Sequence, residues 1–188
     1  MKLKQILLSL SILLLVSGCS SVRTKYPLIN NPDESEQDKL EGAWLLDNEM
    51  IFYIGFPSTG LVQIAYVECG SNKFNIVRGA GTVTKSNKRG FISFRFPGVE
   101  YWNEDYMLFE YASWRDDLIL WGPNDEAFED LIKKATLKGY KKTTGDSTFL
   151  TITNTSEEVL EVIGKPEYKD LFDYRQPHLL RKITPTNN

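Results

Sequence analysis

The chain has 188 residues, of which 41% are hydrophobic and 25% charged, and its 22 basic and 25 acidic side chains leave a formal net charge of −3. This length suits a single domain with its own hydrophobic core, and the acidic balance argues against nucleic acid as a partner. The only histidine is His178, which excludes a histidine-based metal site and a Ser-His catalytic triad, so no metal or cofactor is expected.

The first 18 residues have the pattern of a signal peptide. Lys2 and Lys4 precede an apolar run from Ile6 to Val16, which is shorter than the roughly 20 residues that a membrane-spanning helix needs. The small residues that follow this run suit a signal peptidase. Residues 1–18 are therefore predicted to be a targeting segment that is removed.

The end of this segment carries a more specific motif. Val16, Ser17, Gly18 and Cys19 closely resemble the bacterial lipobox, and the resemblance implies that Cys19 receives diacylglycerol and becomes the first residue of a lipoprotein. Ser20 stands where an aspartate would favour the inner membrane, so the expected location is the outer membrane, facing the periplasm. A Gram-positive host would change this to the outer face of its single membrane. The alternative is an ordinary secretory signal that contains a cysteine.

Residues 19–39 are polar, contain two prolines and show no apolar period. This composition predicts a lipidated tether without regular structure. A flexible chain of this length spans roughly 25 Å root-mean-square, so the folded part is expected to float just off the membrane.

Residues 40–188 are predicted to form a single, mainly β domain. Short apolar runs alternate with turn clusters such as PSTG, KSNKRG and GPND. In the stretch AWLLDNEMIFYIGF, Asp47 and Glu49 fall on one face of an extended chain. The opposite face takes the apolar, even-numbered residues Trp44, Leu46, Met50, Phe52, Ile54 and Phe56. This period of two predicts a half-buried strand.

Further along, the stretch FISFRF repeats the pattern, with Ile92, Phe94 and Phe96 inward and the residues between them outward. Gly79 and Gly81 interrupt an earlier strand, which is typical of a bulge or of the sharp bend that lets a sheet curl into a barrel.

Two short helices are predicted in the C-terminal half. The first is capped by Asn124 or Asp125 and is expected to stop at Gly139. The second begins at TSEE, where Thr155 and Glu158 have capping-box spacing, and ends at GKP. The stretch HLLRKI near the C-terminus predicts a closing strand.

Three features together resemble a lipocalin. Gly42, Ala43 and Trp44 stand as Gly-x-Trp at the start of the first strand, and Asp105 and Tyr106 resemble the second half of the family's Thr-Asp-Tyr motif. The later order of strand, tight SWRDD link, strand and amphipathic helix is also similar. The resemblance implies a small antiparallel β-barrel in which Trp44 plugs the closed end. Bacterial lipocalins are often outer-membrane lipoproteins, which agrees with the predicted lipid anchor.

The chain departs from the family in two places. The family's arginine, expected just after the last barrel strand, is absent, because Gly122 and Pro123 follow Trp121. Between Trp44 and Asp105 there is room for about four strands where a lipocalin needs five, so the expectation is a small barrel or a curled sheet. The chain also resembles small bacterial lipoproteins that end in a helix and a strand, a resemblance that implies no activity.

The first functional hypothesis is a binding module, in which the barrel mouth holds a small apolar or amphipathic ligand. The candidate ligand-binding residues are Tyr101 and Trp102, in the loop PGVEYWNEDY, and Tyr106 at its end. Aromatic rings give a large contact area at a low entropic cost. The alternative for Tyr101 and Trp102 is that their rings fold back over the core.

The second hypothesis is a non-catalytic envelope protein with a filled barrel, which docks a protein partner through its outer face. An enzyme is not expected, and no catalytic residue is proposed. The adjacent acids Glu104 and Asp105, like Asp116 and Asp117, lie in predicted turns. Neighbouring strand residues point to opposite faces, so neither pair converges on one substrate bond.

Overall fold

The computed structural model of the chain describes residues 22–29, 34–47, 50–69, 74–99, 104–144 and 147–183. Within these ranges the chain is mainly β, with a few short helices. The strands are β1 (Val22–Thr24), β2 (Gly42–Leu46), β3 (Met50–Ser58), β4 (Leu61–Cys69), β5 (Phe74–Ser86), β6 (Arg89–Arg95), β7 (Tyr106–Trp114), β8 (Asp117–Pro123), β9 (Gly139–Thr144), β10 (Ser147–Ile152) and β11 (Phe172–Lys182). The helices are α1 (Glu34–Leu40), α2 (Asp125–Lys133), α3 (Ser156–Ile163) and a 3-10 helix (Pro166–Leu171).

Eight strands, β2 to β8 together with β11, form a closed antiparallel barrel. Strands β2 to β8 follow one another around the barrel in chain order, and β11 closes it between β8 and β2. The predicted fold class, a mainly β antiparallel barrel with two short helices in the C-terminal half, is confirmed. The four strands expected between Trp44 and Asp105 are β3 to β6, and the strand that completes the barrel comes from the C-terminus.

The strands of the barrel are strongly staggered. A ladder of paired residues, followed once around the eight strands, returns to β2 displaced by about 12 residues. The strands therefore tilt steeply, and the barrel is wider than an eight-stranded barrel with a shear of about 8. We call the end with the β2–β3 and β4–β5 turns the upper end, and the end with the β3–β4, β5–β6 and β7–β8 turns the lower end.

The segment predicted as one strand from Trp44 to Phe56 is the β2–β3 hairpin. Leu46 pairs with Met50, and Trp44 pairs with Phe52. Because paired residues face the same side of a sheet, the even-numbered residues stay on one face across the turn. The turn begins at Asp47, which has a φ of +47°, a conformation that aspartate tolerates. The inward face was therefore predicted correctly, and the break in the strand was missed.

The two glycines of β5 allow β6 to approach closely. The ladder between β4 and β5 is continuous from Leu61 to Cys69, so no bulge lies at Gly79 or Gly81. A Cβ added to Gly79 would lie 2.7 Å from the Phe96 ring, and one added to Gly81 would overlap the β6 backbone. The predicted bulge is therefore wrong, and the glycines serve the close approach of β6.

The two faces of β6 and β7 enter two separate cores. The inner core fills the barrel and comprises Leu40, Trp44, Ile54, Val62, Ile64, Tyr66, Val83, Ile92, Phe94, Phe96, Met107, Phe109, Tyr111, Leu118 and Leu180. The outer core lies outside the barrel and comprises Val22, Leu28, Phe91, Leu108, Phe128, Leu131, Leu137, Leu150, Ile152, Val159, Leu160, Val162, Ile163, Leu171 and Phe172. Ser93, expected to face solvent, is fully buried, because this second core covers the outer face of β6.

The N-terminal segment differs from the tether predicted for residues 19–39. Strand β1 pairs with β10 in parallel and with β7 in antiparallel orientation, and Val22 and Leu28 are fully buried. The Leu28 N–H donates to Ser93 Oγ at 2.9 Å, and Thr82 Oγ1 donates to the Leu28 carbonyl at 2.7 Å. The tether prediction is therefore wrong for residues 22–29, where two buried apolar side chains and backbone pairing fix a polar segment. It is also wrong for residues 34–39, which belong to α1.

The helices begin where the sequence predicts. The Asn124 side chain caps α2, and Thr155 with Glu158 forms the predicted capping box of α3. Helix α2 ends at Lys133, whereas the expected stop, Gly139, begins β9. The chain leaves the helix at Ala135, which has a φ of +56°, and this early exit brings Leu137 into the outer core.

Candidate functional site

The upper end of the barrel is lined by apolar side chains that are only half-buried. They pack against the inner core, and we call them the mouth: Leu46, Met50, Phe52, Val77 and Val99. Apolar groups that face the interior of a barrel and still reach solvent form a surface suited to an apolar ligand.

Beneath the mouth, aromatic rings from neighbouring strands contact one another inside the barrel. The Phe52 and Tyr66 rings lie 5.6 Å apart, and Tyr66 meets Phe96 edge-on at 5.2 Å. Phe94 meets Phe96 edge-on at 5.5 Å and stacks on Phe109 at 5.6 Å. These separations are those of favourable ring pairs. The rings form an aromatic floor, and the mouth above it is shallow.

Helix α1 closes the lower end. Leu40 is 1% exposed, and the Trp44 indole N–H donates to the Leu40 carbonyl at 2.8 Å. Trp44, which was expected to plug the closed end of the barrel, is 2% exposed, and Lys182 Nζ lies 5.3 Å from its ring centroid. Because the barrel closes with β11, the cation beside this tryptophan comes from the end of β11 and not from the residues after Trp121.

A buried carboxylate fastens α1 to the barrel. Glu36 Oε1 lies 2.8 Å from Lys39 Nζ and 2.9 Å from Lys85 Nζ, and the Tyr111 hydroxyl donates to Glu36 Oε2 at 3.4 Å. Burial acts to raise the pKa of Glu36, but the hydrogen bonds and charges of the two lysines outweigh it and hold the pKa below its usual value. The carboxylate is therefore charged at neutral pH and ties α1 to β5.

A second polar cluster lies on the outer face of the barrel, away from the mouth. Arg89 Nε donates to Glu110 Oε1 at 2.8 Å, and Arg89 Nη1 donates to the Ile163 carbonyl at 2.5 Å. The Tyr174 hydroxyl donates to Glu110 Oε2 at 2.7 Å. The cluster thus joins β6, β7 and β11 to the end of α3.

This cluster predicts a decrease in stability at alkaline pH. Burial and the hydrogen bond to Glu110 raise the pKa of Tyr174 to about 12 from its usual 10. The fold favours the protonated phenol, so this stabilisation is fully present below about pH 10 and is lost as the pH rises through 12. The free energy of unfolding of the native chain is expected to fall more steeply over this range than that of Tyr174→Phe. Urea unfolding at each pH measures both, with Tyr53→Phe, an exposed tyrosine, as the control. Equal slopes for all three chains would contradict the prediction.

A polar groove of about 270 Å³ lies between α2 and the β9–β10 hairpin. Its lining residues are Asp125, Glu129, Lys141, Thr148 and Leu150. Glu129 already pairs with Lys141 at 2.9 Å and with Lys133 at 3.1 Å, so Lys141, the cation of the groove lining, has its counter-ion within the protein.

Of the predicted ligand-binding residues, only Tyr106 lies in the described part of the chain. Its neighbour Met107 belongs to the inner core, so Tyr106 faces outward from β7, with the Arg95 guanidinium 5.0 Å from its ring centroid. Tyr106 therefore does not line the mouth. Tyr101, Trp102 and Cys19 lie outside the described residues.

The mouth residues were missed as a site, although three of them were predicted to face inward. Leu46 and Met50 flank the β2–β3 turn, and Phe52 lies two residues further along the inward face. An inward apolar residue next to a turn lies near a barrel end, and this signal would have pointed to them. Val77 and Val99 carry no comparable signal, because their place depends on the stagger of β5 and β6.

No family model, curated protein or solved structure matches this chain. In the described ranges, no helix has the length and apolar character needed to cross a bilayer. The same ranges contain no group of three or more His, Cys, Asp or Glu side chains placed to hold a metal ion.

Proposed function

We propose that the protein is a non-catalytic, lipid-anchored envelope protein whose lipocalin-like barrel holds a small apolar or amphipathic ligand. The observation that carries the proposal is the mouth, whose inward apolar side chains are half-buried above an aromatic floor. Eight-stranded barrels of this kind are wide enough for one small ligand at an open end.

The lipocalin-like character is supported by three features. The barrel strands form an up-and-down meander with a large stagger. Trp44 in the first barrel strand is buried at the closed end, beside a cation from the last strand, Lys182. A short helix seals this end from below.

The class of ligand follows from the depth and rim of the mouth. The rings of Tyr66 and Phe96 limit how far an apolar chain can enter. At the upper end, His178 Nδ1 lies 3.2 Å from Asp47 Oδ2, so polar groups stand beside the apolar lining. A molecule with a short buried apolar part and an exposed polar head fits this arrangement. A shallow site implies micromolar affinity at best, worth about 8 kcal/mol.

Replacing Met50 with aspartate is expected to weaken ligand binding by about 10-fold, because a charge would face the apolar mouth. Fatty acids and lysophospholipids titrated into the purified full chain, followed by tryptophan fluorescence, measure this. Ile51→Asp is a matched control, since Ile51 is the next residue along β3 and is 46% exposed on the outer face. Flat titrations with the native chain would remove the ligand proposal.

The anchor proposal rests on the lipobox resemblance at Cys19. Cys19 lies three positions before Val22, which is fixed in the sheet, so the lipid would lie within about 11 Å of β1. The β1 side of the barrel would then be held close to the membrane, whereas a free tether would let it move farther away. The expected membrane is the outer membrane, on its periplasmic face, or the cell membrane of a Gram-positive host.

Cys19→Ser is expected to abolish lipidation and to leave an unprocessed precursor, because the acceptor thiol is lost. Mass spectrometry of the protein made in its own host, together with detergent partitioning, measures both effects. A Ser20→Ala chain serves as the control and should be processed normally. A Cys19→Ser chain that is still cleaved after residue 18 and still enters detergent would show that the lipobox interpretation is wrong.

The second candidate is an envelope protein that binds another protein and takes up no ligand. The contacts among Phe52, Tyr66, Phe94 and Phe96 favour it, because these rings pack against one another inside the barrel and leave less room for a ligand. Flat ligand titrations would support this candidate.

A further inference from the structure

The outer face of β3, β4 and β5 carries a cluster of exposed apolar side chains. Ile51 is 46% exposed, Tyr53 52%, Val67 37% and Ile76 61%. Val67 and Ile76 are paired residues of β4 and β5, and Tyr53 pairs with Ala65 beside them, so the cluster is continuous. We call it the outer patch. Contiguous apolar surface of this kind marks an interaction site more often than chance exposure does.

The outer patch begins at β3, which lies on the side of the barrel opposite β1. Around the eight strands, β3 is separated from β7 by β2, β11 and β8, and β7 is the strand that β1 joins. The helices and the outer core also cover the barrel near β7. A membrane held at the β1 side therefore leaves the outer patch uncovered.

Two opposite charges lie at opposite edges of the outer patch. One row of paired residues crosses four strands, from Ala43 through Tyr53 and Ala65 to Arg78. Arg78 is exposed at one end of this row, and the exposed Glu41 lies two residues before Ala43 at the other end. Neither side chain forms an ion pair with another residue in the described ranges.

We propose that the outer patch binds a second copy of this chain in a two-fold symmetric dimer. In such a dimer each contact occurs twice, so Arg78 of each copy meets Glu41 of the other. Tyr53 lies between the two charges and close to the symmetry axis. The face is thus complementary to itself in charge and apolar at its centre, as an interface between copies requires.

The dimer is expected to be weak in solution. The outer patch amounts to a few hundred Å², below the roughly 800 Å² per partner of a standard interface. Two copies held in one membrane are at a high effective concentration, which compensates for low affinity. Association is therefore expected chiefly at a membrane surface.

Disulfide crosslinking in cells tests the proposal. The full chain carries Tyr53→Cys together with Cys69→Ser, which removes the other thiol of the folded part. Two cysteines close to a symmetry axis can reach the Cβ separation of about 4 Å that a disulfide needs. The matched control is Trp114→Cys with Cys69→Ser, because Trp114 is 58% exposed on β7, on the far side of the barrel. The membrane enrichment rests on the proposed lipid anchor, so membrane and soluble fractions are analysed separately. A chain found only in the soluble fraction would contradict the anchor, whereas a membrane-bound chain that stays monomeric would contradict the dimer.

The expected result is a product of twice the monomer mass for Tyr53→Cys, at least about 5-fold more abundant than for Trp114→Cys. Within the Tyr53→Cys chain, Arg78→Glu alone and Glu41→Arg alone should each reduce this product about 3-fold, and the two together should restore it. Equal crosslinking of the two cysteine variants, no dimer, or a product containing a different protein would overturn the proposal. So would a charge-swapped pair that fails to restore the product.

Discussion

Replacing Glu110 with alanine is expected to lower the free energy of unfolding by about 3–5 kcal/mol. The variant would leave the Arg89 side chain, which is 15% exposed, without its carboxylate. A guanidinium does not lose its proton under these conditions, so the charge stays buried and uncompensated. The cation also lies over the rings of Phe91 and Phe172, at 5.4 and 5.5 Å from their centroids, where water cannot replace the lost partner fully. Urea unfolding of the purified full chain at neutral pH, followed by circular dichroism, measures the loss.

The double variant Arg89→Met with Glu110→Leu is the informative control. It removes both charges and keeps apolar volume in their place, and such replacements are often close to neutral. The double variant should therefore be more stable than Glu110→Ala alone. A loss below about 1 kcal/mol in the single variant would show that solvent reaches the guanidinium and that the cluster contributes little.

Trp44→Ala is expected to cost about 3–5 kcal/mol as well, for a different reason. The substitution would open a cavity in the inner core and remove the hydrogen bond from the indole to the Leu40 carbonyl, which holds α1 at the lower end. A loss of this size is a large fraction of the stability of a domain of this length. Denaturant unfolding followed by circular dichroism gives the value.

Trp114→Ala provides a control with the same change of side chain. Trp114 is 58% exposed on β7, so its replacement should change the free energy of unfolding by no more than about 0.5 kcal/mol. Similar losses in the two variants would mean that tryptophan is not buried at position 44 as the structure shows.

Features that depend on local pattern could be predicted from the sequence. The inward faces of the β2–β3 hairpin and of β6 follow from apolar residues at every second position. In the hairpin this pattern continues past the turn, because even-numbered residues of β2 pair with even-numbered residues of β3. The starts of α2 and α3 follow from the side chains of Asn124 and Thr155, which bind backbone N–H groups within one turn. These signals need no knowledge of the rest of the fold.

Features that depend on distant parts of the chain could not be predicted. Ser93 is polar and alternates with apolar neighbours, but its burial depends on Leu28, 65 residues away. Val22 and Thr24 have too few apolar neighbours in the sequence to predict a strand. They form one because their backbone pairs with β7 and β10. Which strand closes the barrel also depends on pairing between distant parts of the chain. The cation beside Trp44 could not be predicted for the same reason, because Lys182 belongs to that strand.

The candidate site shows the same division. Met50 and Phe52 were predicted to face inward because apolar residues alternate with others along this segment. Their position at the open end of the barrel could not be predicted, because it depends on which turns lie together at that end. Tyr106 was proposed as a ligand contact because it follows an aromatic loop. Its neighbour Met107 occupies the inner core, and alternation along β7 then directs Tyr106 outward.

The closure of the barrel by its last strand has a consequence for biogenesis. Asp47 and His178, which meet where β11 joins β2, are 131 residues apart, so nearly the whole chain must be synthesised before the ring can form. Until then β2 and β8 are open edges, which are templates for aggregation. Contacts of such large sequence separation also make folding slow. A chain cleaved before Phe172 would keep both edges open, so an intact β11 decides whether a newly made chain can complete its barrel.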